Sequence, residues 1–186
     1  MQTPVNRLGP GIVGALAAIL LVANLMLIWQ NRRLAAVVAS QTLAMEPLRG
    51  AQVPALRGVD PRGRRLTLDY AGQSRRTLLL VSSTNCAACD RNWGAWEKLL
   101  KRLDAASVRP VVVNLSGEVN EAYLRQHGVG DIPVFAGVDA EVLLAYNLRL
   151  SPQTVLVDRQ GVVKEVWSGQ LAGVALKRLE EAVCER

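Results

Sequence analysis

Histidine occurs once in this chain, at position 127, and cysteine three times, at 86, 89 and 184. So few cysteines cannot staple a disulfide-dense mini-protein. They do not make a structural zinc site either, which needs four N or S ligands in short-spaced pairs. Cys86 and Cys89 form one such pair, while His127 and Cys184 each stand alone. Concentrated positive charge is missing too. The 22 Lys and Arg outnumber the 16 Asp and Glu, for a net charge of +6. They are scattered, however, as in Arg32-Arg33, Arg64-Arg65 and Arg75-Arg76, with no basic run interleaved with aromatics. That argues against a nucleic-acid groove as the main function. There is no internal repeat or low-complexity tract, and 186 residues leave room for one ordinary domain and an accessory segment.

One long stretch lacks charge altogether. Leu8 to Trp29 contains no charged residue, and as a helix its about 22 residues would reach roughly 33 Å, enough to cross a bilayer. Trp29, Gln30, Asn31, Arg32 and Arg33 close it with an interfacial aromatic and a polar stop. A single transmembrane helix is therefore expected over 8–29, after a short tail over 1–7. The small residues Ala35, Ala36, Ala39 and Ser40 lie beyond Arg32 and Arg33, which makes the run a poor cleaved signal peptide. By charge alone, Arg32, Arg33 and Arg49 against Arg7 would keep the following segment cytoplasmic.

Leu34, Val37, Val38, Leu43 and Met45 continue with helical spacing up to Pro47, so a helical stalk or linker is expected over 30–50. A globular domain should follow over 51–186. It opens with two short apolar stretches separated by Val59-Asp60-Pro61-Arg62-Gly63, the residue chemistry of a hairpin turn. Thr77 to Ser82, Val108 to Leu115, Ile132 to Ala136 and Thr154 to Val157 are apolar runs of strand length. Arg91 to Leu103, Val119 to His127, Ala140 to Leu148 and Gly173 to Cys184 carry helical spacing. Asp158-Arg159-Gln160-Gly161 marks a turn between the last two strands. The alternation implies an α/β sheet flanked by helices.

The cysteine pair Cys86-Ala87-Ala88-Cys89 falls between a strand and a helix. At a helix N-terminus the unpaired N–H groups and the dipole favour an anion, so Cys86 is the expected nucleophile. Cys89, one turn later, is placed to resolve a mixed disulfide. Haem attachment is excluded because Asp90, not histidine, follows Cys89. Trp93 and Trp96 read first as core, with lining of the site as the alternative. Asp90 and Glu97 read as compensation of the helix dipole, His127 as a surface residue at a helix end, and Cys184 as an inert thiol.

Two segments extend this pattern: Thr77-Leu-Leu-Leu-Val-Ser-Ser-Thr-Asn-Cys86-Ala-Ala-Cys89, and Leu150-Ser151-Pro152-Gln153-Thr154-Val-Leu-Val-Asp158-Arg-Gln-Gly161. With the final helix, they resemble the thioredoxin superfamily, in particular its membrane-tethered TlpA-like and redoxin branch, which includes MauD-like proteins. The resemblance runs from about Ala51 onward. It implies a thioredoxin-like fold, a central mixed sheet flanked by helices, with a TlpA- or peroxiredoxin-type insertion between Glu118 and Leu148. It implies a thiol:disulfide oxidoreductase that uses Cys86 and Cys89 and needs neither metal nor cofactor. In such proteins the proline matching Pro152 is cis and lies against the disulfide, and the residue matching Ser151 offers backbone hydrogen bonds to substrate. The implied partners are protein disulfides or dithiols and an upstream thiol electron donor in the membrane or periplasm. The implied location is the inner membrane, single-pass, with the soluble domain on the periplasmic side; this overrides the charge rule.

Departures from the pattern are Asn85 and Ala88, where tryptophan and proline are common, Leu80 in place of a buried aspartate, and Asn92 in place of a glutamate. Two other readings remain. One is a peroxiredoxin-like peroxidase, for which Ser83 would replace a threonine but Leu79 stands where a proline is needed. The other is a non-catalytic interaction module.

Overall fold

The computed structural model describes residues 10–44, 49–117, 121–129 and 131–184. It divides into two compact units, Met1–Ala44 and Met45–Arg186. The expected tail over 1–7 lies outside the described residues.

The described residues of the first unit form one helix, α1 (Pro10–Ala44). It runs without a break across the expected border between span and stalk, because no proline or glycine follows Gly14 to interrupt it. Gly14–Val38 is long and apolar enough to cross a membrane by length and composition. The Arg33 guanidinium lies 5.5 Å from the centroid of the Trp29 ring, a cation–π contact at the polar end of the apolar run.

The second unit begins with a hairpin of β1 (Leu56–Val59) and β2 (Arg65–Leu68). Then come β3 (Arg76–Ser82), α2 (Ala87–Leu100), β4 (Val108–Asn114), α3 (Glu121–Gln126), β5 (Val134–Phe135) and α4 (Ala140–Tyr146). The chain closes with β6 (Gln153–Val157), β7 (Val163–Ser168) and α5 (Gly173–Cys184). The main sheet has the order β5-β4-β3-β6-β7. Strand β4 runs parallel to β3 and β5, whereas β6 is antiparallel to β3 and β7. The sheet is therefore mixed, as the resemblance implied, and the expected insertion supplies α3, β5 and α4. Of that insertion, Glu118 to Asn120 and Gly130 lie outside the described residues.

Alternation along β3 explains the two cores. Successive strand side chains point to opposite faces. Leu79 and Val81 join Val111, Val113, Val155 and Tyr146 in one cluster. Leu78 and Leu80 join Trp93, Trp96, Leu99, Leu179 and Val183 in the other. A strand covered on both faces has to read as a nearly continuous apolar run, which is why Thr77 to Val81 is so apolar.

Both aspartate turns are built alike. Asp60 Oδ1 accepts from the N–H of Arg62 and Arg64, at 2.9 and 2.8 Å. Asp158 Oδ1 accepts from Gln160 and Val162, at 2.9 Å each. Each turn closes at a glycine of positive φ, Gly63 at 78° and Gly161 at 82°, a region L side chains rarely enter. Burial pushes the Asp60 carboxyl up, but the hydrogen bonds from Arg64 and Arg62 outweigh it and hold it below the usual carboxylate range. The first hairpin is also tied to the sheet edge, where Val59 and Ala136 exchange two backbone hydrogen bonds of 2.8 Å.

Candidate active site

The site grows from the carboxyl end of β3. After Ser82 the chain must turn into α2. It does so through Asn85 at φ 60°, a left-handed conformation that asparagine tolerates better than most residues. The loop is pinned to β4: Leu115 N–H donates to the Ser82 carbonyl at 2.9 Å, Thr84 N–H donates to Ser116 Oγ, and Asn114 Nδ2 donates to Thr84 Oγ1 at 3.4 Å.

Cys86 then caps α2. Its backbone is extended (φ −104°, ψ 95°), and its sulfur accepts from the Cys89 N–H at 3.1 Å. This is the position where orphan helix N–H groups stabilise negative charge. Cys86 and Cys89 are joined as a disulfide, with Cα atoms 5.2 Å apart. The two sulfurs differ in access: Cys86 is half-buried and Cys89 fully buried. An incoming group meets Cys86 first.

Opposite the sulfurs lies the Ser151–Pro152 peptide bond, which is cis. Ser151 O is 3.9 Å from Cys86 Sγ and Ser151 Oγ is 3.8 Å from it. The four residues singled out in the sequence, Cys86, Cys89, Ser151 and Pro152, therefore meet in one place although 65 residues separate Cys86 from Ser151.

Neither position at which the sequence departs from an acid supplies a carboxylate. Leu80 is fully buried in the tryptophan-lined core. Asn92 is fully buried as well; its Oδ1 accepts from the Leu171 N–H at 2.7 Å, and its amide nitrogen has no partner among the described residues. Trp93 and Trp96 are core, as expected, at 1% and 0% exposure. Among the described residues, no three His, Cys, Asp or Glu side chains are grouped to hold a metal ion.

Two expectations need correction. Glu97 does not balance the helix dipole, because it lies toward the carboxyl end of α2; Asp90 does stand in the first turn, where its carboxylate also accepts from the Tyr123 hydroxyl of α3, which in turn accepts from Trp93 Nε1 at 2.7 Å. His127 is half-buried rather than a free surface residue. Its ring stacks on Trp93 at 5.0 Å and 11°, meets the edge of Tyr123 at 4.6 Å, and its Nδ1 lies 3.4 Å from Glu97 Oε1. Sequence spacing could not show this, since the contacts cross from α3 to α2. Cys184 is free and exposed.

All three tyrosines are held protonated. Burial, with the hydrogen bond to Asp90, pushes Tyr123 up to about 12. Burial pushes Tyr70 up to about 12 and Tyr146 higher still. The Tyr146 hydroxyl sits 2.6 Å from the Pro54 carbonyl and 2.9 Å from the Tyr70 hydroxyl. A folded-state pKa raised above the ordinary 10 leaves stability intact below pH 10, and stability is lost as pH rises toward 12. Phenolate absorbance and loss of circular dichroism should therefore rise together in that window. Phenolate forming near pH 10 with the fold intact would contradict this.

Residues 49–166 match the AhpC/TSA family. The chain is 33% identical over 92 residues to the methylamine utilization protein MauD of Methylorubrum extorquens, an alignment covering 48% of this chain and 42% of that protein. To the MauD of Paracoccus versutus it is 30% identical over 106 residues, covering 52% and 51%. The chain thus spans about half the length of these relatives. Among solved structures, the thioredoxin domain of a thiol-disulfide oxidoreductase from Bacteroides vulgatus superposes with a TM-score of 0.57 at 18% identity, over 73% of this chain and 98% of that domain. That likeness bears out the thioredoxin-like fold.

Proposed function

The chain belongs to the AhpC/TSA family, and from that premise we propose that it is a membrane-tethered thiol:disulfide oxidoreductase acting on proteins outside the cytoplasm. One observation carries the reading: a disulfide at the mouth of α2 whose first sulfur is reachable, capped by a helix N–H and faced by the Ser151 carbonyl, while its second sulfur is sealed.

In this scheme a substrate thiolate attacks Cys86 Sγ, the bond to Cys89 breaks, and Cys89 leaves as a thiolate that takes up a proton. A second substrate thiolate attacks the substrate sulfur of the mixed disulfide and releases Cys86. Two electrons and two protons pass from a substrate dithiol to the cysteine pair, and the substrate leaves as a disulfide. The reverse sequence reduces a substrate disulfide, and relative potentials set the direction. Ser151 and Pro152 form the surface on which an extended substrate segment lies, and a thiol donor in the membrane or periplasm recycles the pair. A role in maturing a cytochrome or another periplasmic enzyme is proposed by analogy with the membrane-tethered TlpA-like branch that the sequence resembles.

Reduction of insulin in the presence of dithiothreitol, with a glutathione titration of the Cys86 and Cys89 pair, tests the reading. Turnover with a measurable potential is expected, and sulfurs that never change state would end it. Peroxide consumption without disulfide exchange would point instead to a peroxidase.

The domain layout follows the sequence reading: α1 spans the inner membrane once, a linker follows, and the thioredoxin-like domain lies on the periplasmic side. Cys184 reports on this, being free and exposed. A membrane-impermeant maleimide should label it in spheroplasts before lysis. Labelling only after lysis would place the domain in the cytoplasm.

A further inference from the structure

Helix spacing puts a carboxylate on the same face as the reachable sulfur. Cys86 is the N-cap of α2, and Asp90 follows four residues later in the first turn, with its N–H donating to the Cys86 carbonyl at 3.0 Å. Residues four apart on a helix are neighbours, their Cβ atoms about 5–6 Å from each other, and side chains lean toward the helix N-terminus. Asp90 therefore leans toward Cys86. A carboxylate there suits the helix dipole, but it opposes a thiolate on Cys86, because each negative charge disfavours the ionised form of the other.

The Asp90 carboxylate is not left to swing. Tyr123, half-buried on α3, donates its hydroxyl proton to Asp90 Oδ1. The same hydroxyl accepts from Trp93 Nε1 at 2.7 Å, which fixes the oxygen and commits its single proton to the carboxylate. The ring is held as well, edge-on to Trp93 at 6.1 Å between centroids and to His127 at 4.6 Å. Burial and the bond to Asp90 push this phenol up to about 12, so it remains a donor across the range in which thiols titrate.

The other charges around the site are placed differently. From α3, His127 turns its Nδ1 to Glu97 at 3.4 Å, about two helical turns beyond Asp90. From the β6 side, Cys86 Sγ meets the Ser151 carbonyl and hydroxyl, at 3.9 and 3.8 Å, and neither carries charge. Arg91, next to Asp90, and Arg149, two residues before Ser151, are exposed, where water and salt screen them.

We infer that Tyr123 is a positioning residue for the reactive sulfur: it draws the Asp90 carboxylate toward α3 and so keeps a like charge away from the Cys86 thiolate. Given that Cys86 is the exchanging thiol, as proposed above, the clasp matters once the disulfide opens. The new charge then sits at the N-cap of α2, and a clasped Asp90 cannot move back over it. Loss of the clasp sets two negative charges one helical turn apart, which raises the thiol and leaves less thiolate at neutral pH. Tyr123 thus tunes Cys86 without touching it, from an element that lies outside the strand-to-helix turn.

The test follows iodoacetamide alkylation of the reduced full-length protein against pH at low ionic strength, read at the Cys86 peptide by mass spectrometry so that Cys89 and Cys184 do not contribute. Tyr123→Phe keeps the ring and its edge contacts but has no proton to donate. It should raise the alkylation midpoint by about half a pH unit, the size expected for an exposed charge pair. Asp90→Asn removes the charge and should leave the midpoint at or below wild type. Tyr123→Phe added to Asp90→Asn should then shift nothing further, since no carboxylate remains to be released. A Tyr123→Phe midpoint equal to wild type overturns the inference. So does an upward shift that persists in the Asp90→Asn background, where the tyrosine would act through packing alone, or a rise with Asp90→Asn by itself. Insulin turnover by the wild type is judged separately. A wild type inert toward insulin whose Cys86 midpoint still answers to Tyr123→Phe only when Asp90 is present defeats the oxidoreductase reading but not the clasp.

Discussion

Replacing Cys86 by serine should abolish disulfide exchange, a loss on the order of a thousandfold or more, because the thiolate is the attacking species and a hydroxyl cannot replace it. Replacing Cys89 should give a different defect. Cys86, the accessible sulfur, can still be attacked or attack, but without Cys89 the mixed disulfide has no intramolecular resolving thiol. Cys89→Ala should therefore react once and stop, holding a stoichiometric adduct visible as a mass increase and released by reductant. Equal rates of adduct formation at the two positions in paired single variants would contradict the asymmetry of access that assigns the roles. Turnover of insulin by Cys86→Ser at the wild-type rate would remove the pair from the reaction altogether.

Trp96→Ala should unfold the soluble domain near physiological temperature. Trp96 is 0% exposed, meets Trp93 edge-on with ring centroids 4.9 Å apart, and donates from Nε1 to Thr154 Oγ1 at 2.9 Å. Emptying such a site costs about 3–5 kcal/mol in transfer and cavity energy. Leaving the Thr154 hydroxyl buried and unpaired adds roughly 1–3 kcal/mol. A typical domain has only about 5–15 kcal/mol in total. Trp96→Phe keeps most of the buried area and loses mainly the hydrogen bond, so it should fold with a lower denaturant midpoint. A wild-type midpoint for Trp96→Ala, measured by urea titration, would show that this ring does not hold α2 to the sheet.

Element by element, the chain announces its own architecture where the physics is local. The β3 run from Thr77 is legible because a strand buried on both faces must be apolar throughout. The turns at Asp60 and Asp158 are legible because aspartate and glycine at that spacing satisfy the turn from within five residues. The Cys86-Ala87-Ala88-Cys89 pair is legible because its bond and its helix N-terminus are both one turn long. The partners of His127 and Asp90 are not legible, for the converse reason. A helix-end histidine and a first-turn aspartate have local explanations that suffice until α3 is laid against α2, where Tyr123 and Trp93 claim both.

The order of residues was by itself enough to determine an apolar helix followed by an alternating α/β domain, and a vicinal-type thiol pair at a strand-to-helix turn. Periodicity, turn chemistry and the reactivity of sulfur act over a few residues, and a linear string records them. Which sulfur is open to attack, and what leans on it, was decided only when β6 paired with β3. That pairing set Ser151 and Pro152 against Cys86 and brought Ser83 within reach of Ser151. The register of two strands some 70 residues apart depends on how both faces of the sheet are filled, and that is a property of the whole packed core.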